Sequence, residues 1–261
     1  MLPGQRVSPL PLWPLGWVPP AGVAAACTTR EGGVSLAPYD ALNLGDHVGD
    51  DPERVAQNRA RLAATLGVRP VFLQQVHGTA VLHLTADTPD GLTADASWTA
   101  TPALACTILV ADCLPVLLAD RQGRAVGAAH AGWRGLAQGV LPATVEAMCA
   151  GAGLAPDDVC AWLGPCIGPT AFEVGAEVRA AFVEKNSAWA AHFQPLAQAE
   201  KYRADLPALA AAQLRQLGVR TIAGNAGEPE WCTVSQPSVW FSFRRSRGAT
   251  GRFAAGIWRS L

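Results

Sequence analysis

Net charge is nearly absent from this chain of 261 residues: 20 basic residues face 21 acidic ones, leaving a formal charge of -1. Without a basic excess there is no global field to draw in nucleic acid or an anionic membrane. Methionine is scarce, with two residues, and histidine occurs only five times. No Gly-rich stretch matches a phosphate-binding P-loop or a dinucleotide fingerprint. Internal repeats, heptads and low-complexity tracts are missing too, apart from an alanine bias. The longest apolar stretch is broken by Asp112 and is too short to span a bilayer. A secretory leader is not readable either. Ala24-Ala25-Ala26-Cys27 faintly suggests lipoprotein cleavage, but Pro3, Pro9, Pro11, Pro14, Pro19 and Pro20 break the segment before it, and Arg6 is its one basic residue. A signal peptide needs a basic start and an unbroken apolar core. The segment reads as a proline-rich, extended lead-in, and the protein as cytoplasmic. The seven cysteines are an odd number in a large chain, without the spacing of a secreted framework. Reduced thiols are expected, with Cys106, Cys149 and Cys160 as small core residues.

Half of the chain is hydrophobic, enough for a sizeable core. No linker is visible, so residues 1–261 read as one domain. Asp51-Pro52-Glu53 predicts a helix start, with Asp as cap and Pro at the first position. That helix runs through Val55, Leu62 and Leu66 and stops at Gly67. Strands near Val71 to Val76 and Ala80 to Leu84 are expected to pair as a hairpin across Gly78. Further strands are expected near Leu104 to Val110, Val116 to Ala119 and Ala125 to Ala129. Helices are expected from about Leu136 to Ala150, Val174 to Glu184 and Leu206 to Leu217. Two closing strands are expected near Val239 to Phe243 and Ala254 to Trp258. Strands adjacent in sequence argue against a βαβ repeat and for an α+β fold with mixed or antiparallel sheets.

Three residues stand out at expected strand ends: His77, Cys113 and His130. Two imidazoles and a thiolate are a donor set that suits zinc with one position left open. The same set forms the core of a blue-copper site, which adds an axial Met. Here Met1 is terminal and Met148 falls in an expected core helix, and five histidines cannot build a trinuclear copper cluster as well. Zinc is favoured over copper. An open zinc position brings bound water to a pKa of about 7 or polarises a substrate oxygen. Asp112 adjoins Cys113, and Gln75 and Asn43 are candidates to orient ligands or water. A second reading drops the metal, with Cys113 as a thiolate nucleophile activated by His130. The spacing leaves both open.

Arginines in turns add a possible anion site. Arg30 lies in Thr28-Thr29-Arg30-Glu31-Gly32-Gly33, Arg134 follows His130, and Arg244 and Arg245 follow Phe241-Ser242-Phe243. Trp133 and Phe172 could stack on a planar ring.

These segments together resemble the YfiH family, once described as laccase-like polyphenol oxidases. The resemblance runs along nearly the whole chain. It rests on Thr29-Arg30-Glu31-Gly32-Gly33-Val34-Ser35, Leu42-Asn43-Leu44-Gly45, Gln75-Val76-His77-Gly78 and Ala111-Asp112-Cys113-Leu114-Pro115. It continues in His130-Ala131-Gly132-Trp133-Arg134-Gly135, Leu163-Gly164-Pro165-Cys166-Ile167-Gly168-Pro169, Phe241-Ser242-Phe243-Arg244-Arg245 and Thr250-Gly251-Arg252. It implies a cytoplasmic protein with two mixed β-sheets stacked as a sandwich and flanked by helices. It also implies a zinc site on His77, Cys113 and His130. The implied activity is phosphorolysis of purine nucleosides (adenosine, inosine, guanosine, methylthioadenosine), with adenosine deaminase activity beside it. The implied partners are a nucleoside and phosphate; Arg30, Arg244 and Arg245 are the candidates to hold the phosphate, and the charge balance and short apolar runs leave no nucleic acid or membrane partner expected. Two alternatives come with the family: peptidoglycan editing, in which misincorporated serine is removed from a muropeptide precursor, and polyphenol oxidation. A zinc position closed by a fourth protein ligand, with Cys166 nearest by motif, would point to a non-enzymatic role.

Overall fold

A computed structural model describes residues 9–260. Residues 1–8, the first part of the proline-rich lead-in, lie outside the described residues. Two sheets carry the fold. The strands Val23–Cys27, Phe253–Arg259, Leu104–Val110 and Arg69–Val71 form one, in that spatial order. The second has six strands, in the order Thr221–Gly224, Val159–Leu163, Leu114–Asp120, Val126–Ala131, Ala96–Thr99 and Val81–His83. Both mix parallel and antiparallel pairs. A small antiparallel sheet of Phe193–Pro195, Lys201–Ala204 and Glu173–Gly175 packs Val174, Phe193 and Ala204 into the same core as the six-stranded sheet. The α+β expectation therefore holds, with mixed sheets.

Side-chain alternation explains the stacking. Along Leu114–Asp120, Leu117 and Ala119 join Ile108, Phe253 and Ile257 in a core between the two large sheets. Leu114, Val116 and Leu118 point the other way, into a core shared with the helices Val140–Ala152 and Leu206–Gln216. A strand buried on both faces must be apolar at nearly every position, and this is why residues 104–118 read as one long hydrophobic run. The helix Pro52–Leu66 covers the outer face of the four-stranded sheet through Leu62, packed with Phe72, Leu109 and Ala254. Its start and stop follow the expected caps: Asp51 accepts from the Glu53 N–H, and Gly67 takes the left-handed conformation at φ 68°.

Several expected elements differ. Arg69–Val71 and Val81–His83 do not form a hairpin; each pairs in parallel with a different strand, in a different sheet. Between them, Val76, His77 and Gly78 give their N–H groups to the Asp95 carboxylate rather than to a cross-strand partner. The helix expected at Leu136 to Ala150 is two helices, Trp133–Gln138 and Val140–Ala152, divided by Gly139 at φ 106°. Val174 belongs to the strand Glu173–Gly175, and the helix after it is Ala176–Val183. Residues 239–243 are not a strand. Trp240 and Phe241 are buried, but Ser242 caps the short helix Phe243–Ser246 instead. There the apolar pattern reports burial, not strand pairing.

No described helix is long and apolar enough to cross a membrane. All seven cysteines are free thiols, and Cys106, Cys149 and Cys160 are buried.

Candidate metal centre and its cleft

His77, Cys113 and His130 converge, with one ligand atom from each within 4.8 Å of the others. His130 sits within the strand Val126–Ala131. Cys113 occupies the turn between Leu104–Val110 and Leu114–Asp120. His77 comes from the loop after Arg69–Val71. Cys113 Sγ lies 3.6 Å from His77 Nε2. A tetrahedral zinc with ordinary Zn–S and Zn–N bonds places S and N about 3.6 Å apart. The rings of His77 and His130 are 4.7 Å apart, centroid to centroid. Gly132 leaves the room: a Cβ there would stand 2.8 Å from His77 Cδ2 and 2.9 Å from Cys113 Sγ. Donor chemistry, spacing and the missing side chain at 132 all fit a metal ion.

The electrostatics fit as well. Burial pushes the Cys113 thiol up, but the facing His130 and His77 imidazoles outweigh it and bring it down to about 6. Burial pushes His130 down, but Cys113 and Asp95 outweigh it and raise it to about 9. Each of the pair thus favours the charged form of the other, thiolate facing imidazolium. A metal ion held by His77, Cys113 and His130 would take the place of the proton.

Asp95 was not anticipated from the sequence. It is fully buried. Oδ1 accepts from the His77 N–H and faces His130 Nδ1 at 2.8 Å; Oδ2 accepts from the Val76 and Gly78 N–H groups. Burial works against its charge, but the His130 partner and these backbone donors hold the carboxyl below its usual range. A signal was present in Ala94-Asp95-Ala96-Ser97-Trp98: an acid in a stretch that reads as core must be paired.

A cleft of about 340 Å³ opens on the cluster, lined by His77, Cys113 and His130 together with Gln75, Asp112, Trp133, Arg134, Phe172, Phe243, Arg244, Arg252 and His47. Arg134 stacks on Trp133 and Arg244 lies over Phe172. Gln75 is pinned by two hydrogen bonds to the backbone of Leu109. Asp112 takes a left-handed φ of 100°. Its carboxylate accepts from the Thr233 hydroxyl and the Arg244 N–H, so it ties the Arg244 segment to the Cys113 turn. Burial pushes the Arg252 guanidinium down, opposed by Cys113 and Asp112. Burial and Arg252 push the His47 imidazole below its usual value, against Asp46.

Three residues singled out from the sequence are not among those lining the cleft. Arg30 donates to the carbonyls of Asp40 and Pro237 and stacks on Phe241. Arg245 donates to the carbonyls of Thr233, Val234 and Trp240. Asn43 is fully buried, with its side chain bonded to Gly45, Asp50 and the Arg252 N–H. Each is engaged by partners within the fold, some more than 200 residues away in sequence, which explains why a turn arginine or asparagine is a poor guide to a ligand. Cys166 is buried and bonded to Ile167 and Asn225; it is not in the donor cluster.

The family model described as "Multi-copper polyphenol oxidoreductase laccase" matches residues 24–260. The chain is 48% identical to the Purine nucleoside phosphorylase YfiH of Escherichia coli K12 over 244 residues, covering 93% of this chain and 96% of that one. The chain belongs to the YfiH family. A Pseudomonas aeruginosa relative, also named a purine nucleoside phosphorylase, is 50% identical over 242 residues, covering 93% of this chain and 96% of its own. The crystal structure of a Neisseria meningitidis protein superposes with a TM-score of 0.87 at 44% identity, covering 96% of this chain and 99% of that one. A Bacillus licheniformis YfiH structure superposes with a TM-score of 0.84 at 31% identity, covering 91% and 93%. In this YfiH family member the three donors line the same cleft as Arg134, Arg244 and Arg252.

Proposed function

We propose that the protein is a purine nucleoside phosphorylase whose cleft holds nucleoside and phosphate beside a zinc ion on His77, Cys113 and His130. The observation that carries this reading is the division of the cleft: aromatic Trp133, Phe172 and Phe243 stand beside Arg134, Arg244 and Arg252. A purine needs a flat apolar wall, and phosphate needs guanidinium forks. The names of the relatives point the same way.

In the reaction, a phosphate oxygen forms a bond to the anomeric carbon as the bond from that carbon to the purine nitrogen breaks. The electron pair leaves with the purine, which gains a proton, and ribose 1-phosphate is released. Arg244 and Arg252 are suited to hold and orient the dianion, and Trp133 and Phe172 to fix the plane of the base. Such positioning replaces a bimolecular encounter with a prearranged one. A bound zinc ion would supply Lewis acidity, or a water with a pKa of about 7. That water would also serve deamination of adenosine at the same site. Seven free thiols suit a reducing compartment, and we place the protein in the cytoplasm.

The zinc-loaded protein incubated with inosine and phosphate is expected to release hypoxanthine and ribose 1-phosphate in equal amounts, with loss of turnover in Cys113→Ala. No phosphate-dependent hypoxanthine would refute the reading.

A second reading rests on a different observation. Asp95 is bonded to His130, and His130 lies within 4.8 Å of the low-pKa Cys113 thiol, an acid–imidazole–thiol set like that of a cysteine acyl-transfer enzyme. It would cleave an amide, such as the serine-containing bond of a muropeptide precursor. Activity in metal-free protein that is abolished by zinc would favour it. Polyphenol oxidation, which the family model's description suggests, predicts copper binding and oxygen uptake with phenols.

A further inference from the structure

We infer that Asp95 is the positioning residue of the metal centre, setting two of its three ligands at once. The inference rests on the metal-binding half of the proposed function and not on the reaction. The carboxylate is fully buried. Its four close donors fall into two groups. One is the imidazole of His130, with Nδ1 2.8 Å from Oδ1. An acceptor there keeps the proton on Nδ1 and leaves the Nε2 lone pair for a metal. The other group is three consecutive backbone N–H groups: Val76 at 3.1 Å, His77 at 2.8 Å and Gly78 at 2.7 Å.

The second group matters because of the backbone at His77. This residue has φ 62°, a left-handed conformation that a non-glycine residue keeps only when its surroundings enforce it. Asp95 is the enforcing group, since it collects the N–H of His77 and of both neighbours. A further bond closes the unit: the His130 N–H donates to the Asp95 carbonyl at 2.7 Å. A side chain on the strand Ala96–Thr99 side of the sheet thus aims one ligand through its ring and another through its backbone. Asn cannot replace Asp here, because one of its two positions would turn an NH2 group toward N–H donors.

The first test uses the wild-type protein loaded with zinc. Long-range proton–nitrogen correlation is expected to show His130 protonated on Nδ1 and metal-bound through Nε2; metal on Nδ1 would overturn the inference. The second uses Asp95→Asn, with the fold of the metal-free variant checked by circular dichroism. Competition with a chromophoric chelator is expected to show zinc affinity lower by about 10–100-fold. Cobalt(II) substitution should show an altered ligand-field spectrum, which a general loss of stability does not produce. Affinity within twofold of wild type with an unchanged cobalt spectrum would overturn it. If Asp95→Asn does not fold, the wild-type measurement decides alone. Neither measurement involves turnover, so an inactive but correctly metallated protein would count against phosphorolysis and leave the role of Asp95 standing.

Discussion

Replacing Gly132 by alanine puts a methyl group inside the donor cluster. Gly132 has φ -63° and ψ 155°, angles that any residue adopts, so the effect is steric and not conformational. The new Cβ would stand 2.8 Å from His77 Cδ2 and 2.9 Å from Cys113 Sγ. Relaxed contacts of carbon with carbon or sulfur need about 3.5–4.0 Å, so the ligands or the backbone must give by about 0.7 Å or more. Metal bonds tolerate about 0.2 Å. Overpacking of this kind costs about 1–3 kcal/mol. In the metal-free protein the two side chains can swing away and relieve most of it. In the metal-bound protein they cannot, and the cost falls on binding. Zinc affinity should drop by about 5- to 150-fold. Gly132 also caps the helix Trp133–Gln138, and losing that cap costs well under 2 kcal/mol. This second cost is the same with and without metal, so it lowers the melting temperature and cancels from the affinity. Chelator competition and thermal melting of metal-free protein separate the two. Unchanged zinc affinity in a folded Gly132→Ala protein would refute the assignment of the cluster as a metal site.

Three further outcomes follow from the same geometry. Alkylation of metal-free protein by iodoacetamide should modify Cys113 selectively, since the other six cysteines are buried. Its rate should rise as pH passes upward through about 6, where the thiol lowered by His130 ionises, and zinc should protect it; a midpoint near the ordinary thiol value would contradict the thiolate–imidazolium pair. Arg252→Ala should raise the KM for phosphate by about 10- to 150-fold, the worth of charge-assisted hydrogen bonds of 1.5–3 kcal/mol, whereas Arg30→Ala should lower the melting temperature and leave that KM alone. Asn58→Ala should cost about 2–4 kcal/mol in urea unfolding, because it strips hydrogen bonds from Val34, Ser35, Ala41 and Asn43 at a fully buried position.

Much of the site was legible because donor chemistry is carried by residue type. With five histidines in the chain, two of them and one cysteine at expected strand ends were already a short list. The caps of Pro52–Leu66 were legible for a related reason: Asp51, Pro52 and Gly67 act on backbone groups one to four residues away. The hairpin across Gly78 failed because its two strands answer to partners far along the chain, Leu104–Val110 and Ala96–Thr99. Residues 239–243 failed because burial and strand pairing leave the same apolar trace.

By itself, the sequence determined the donor set, the local stops and starts, and the doubly buried strands, since each depends on the identity of a residue or its near neighbours. Tertiary structure alone decided which polar groups face the cleft. Arg30, Arg245 and Asn43 spend their hydrogen bonds within the fold, two of them on segments more than 200 residues away, Arg252 came to line the cleft, and Asp95 became the common acceptor for His130 and the loop of His77. The physical reason is that a hydrogen-bonding side chain takes the partner that folding brings within about 3 Å, and that partner is rarely a neighbour in sequence.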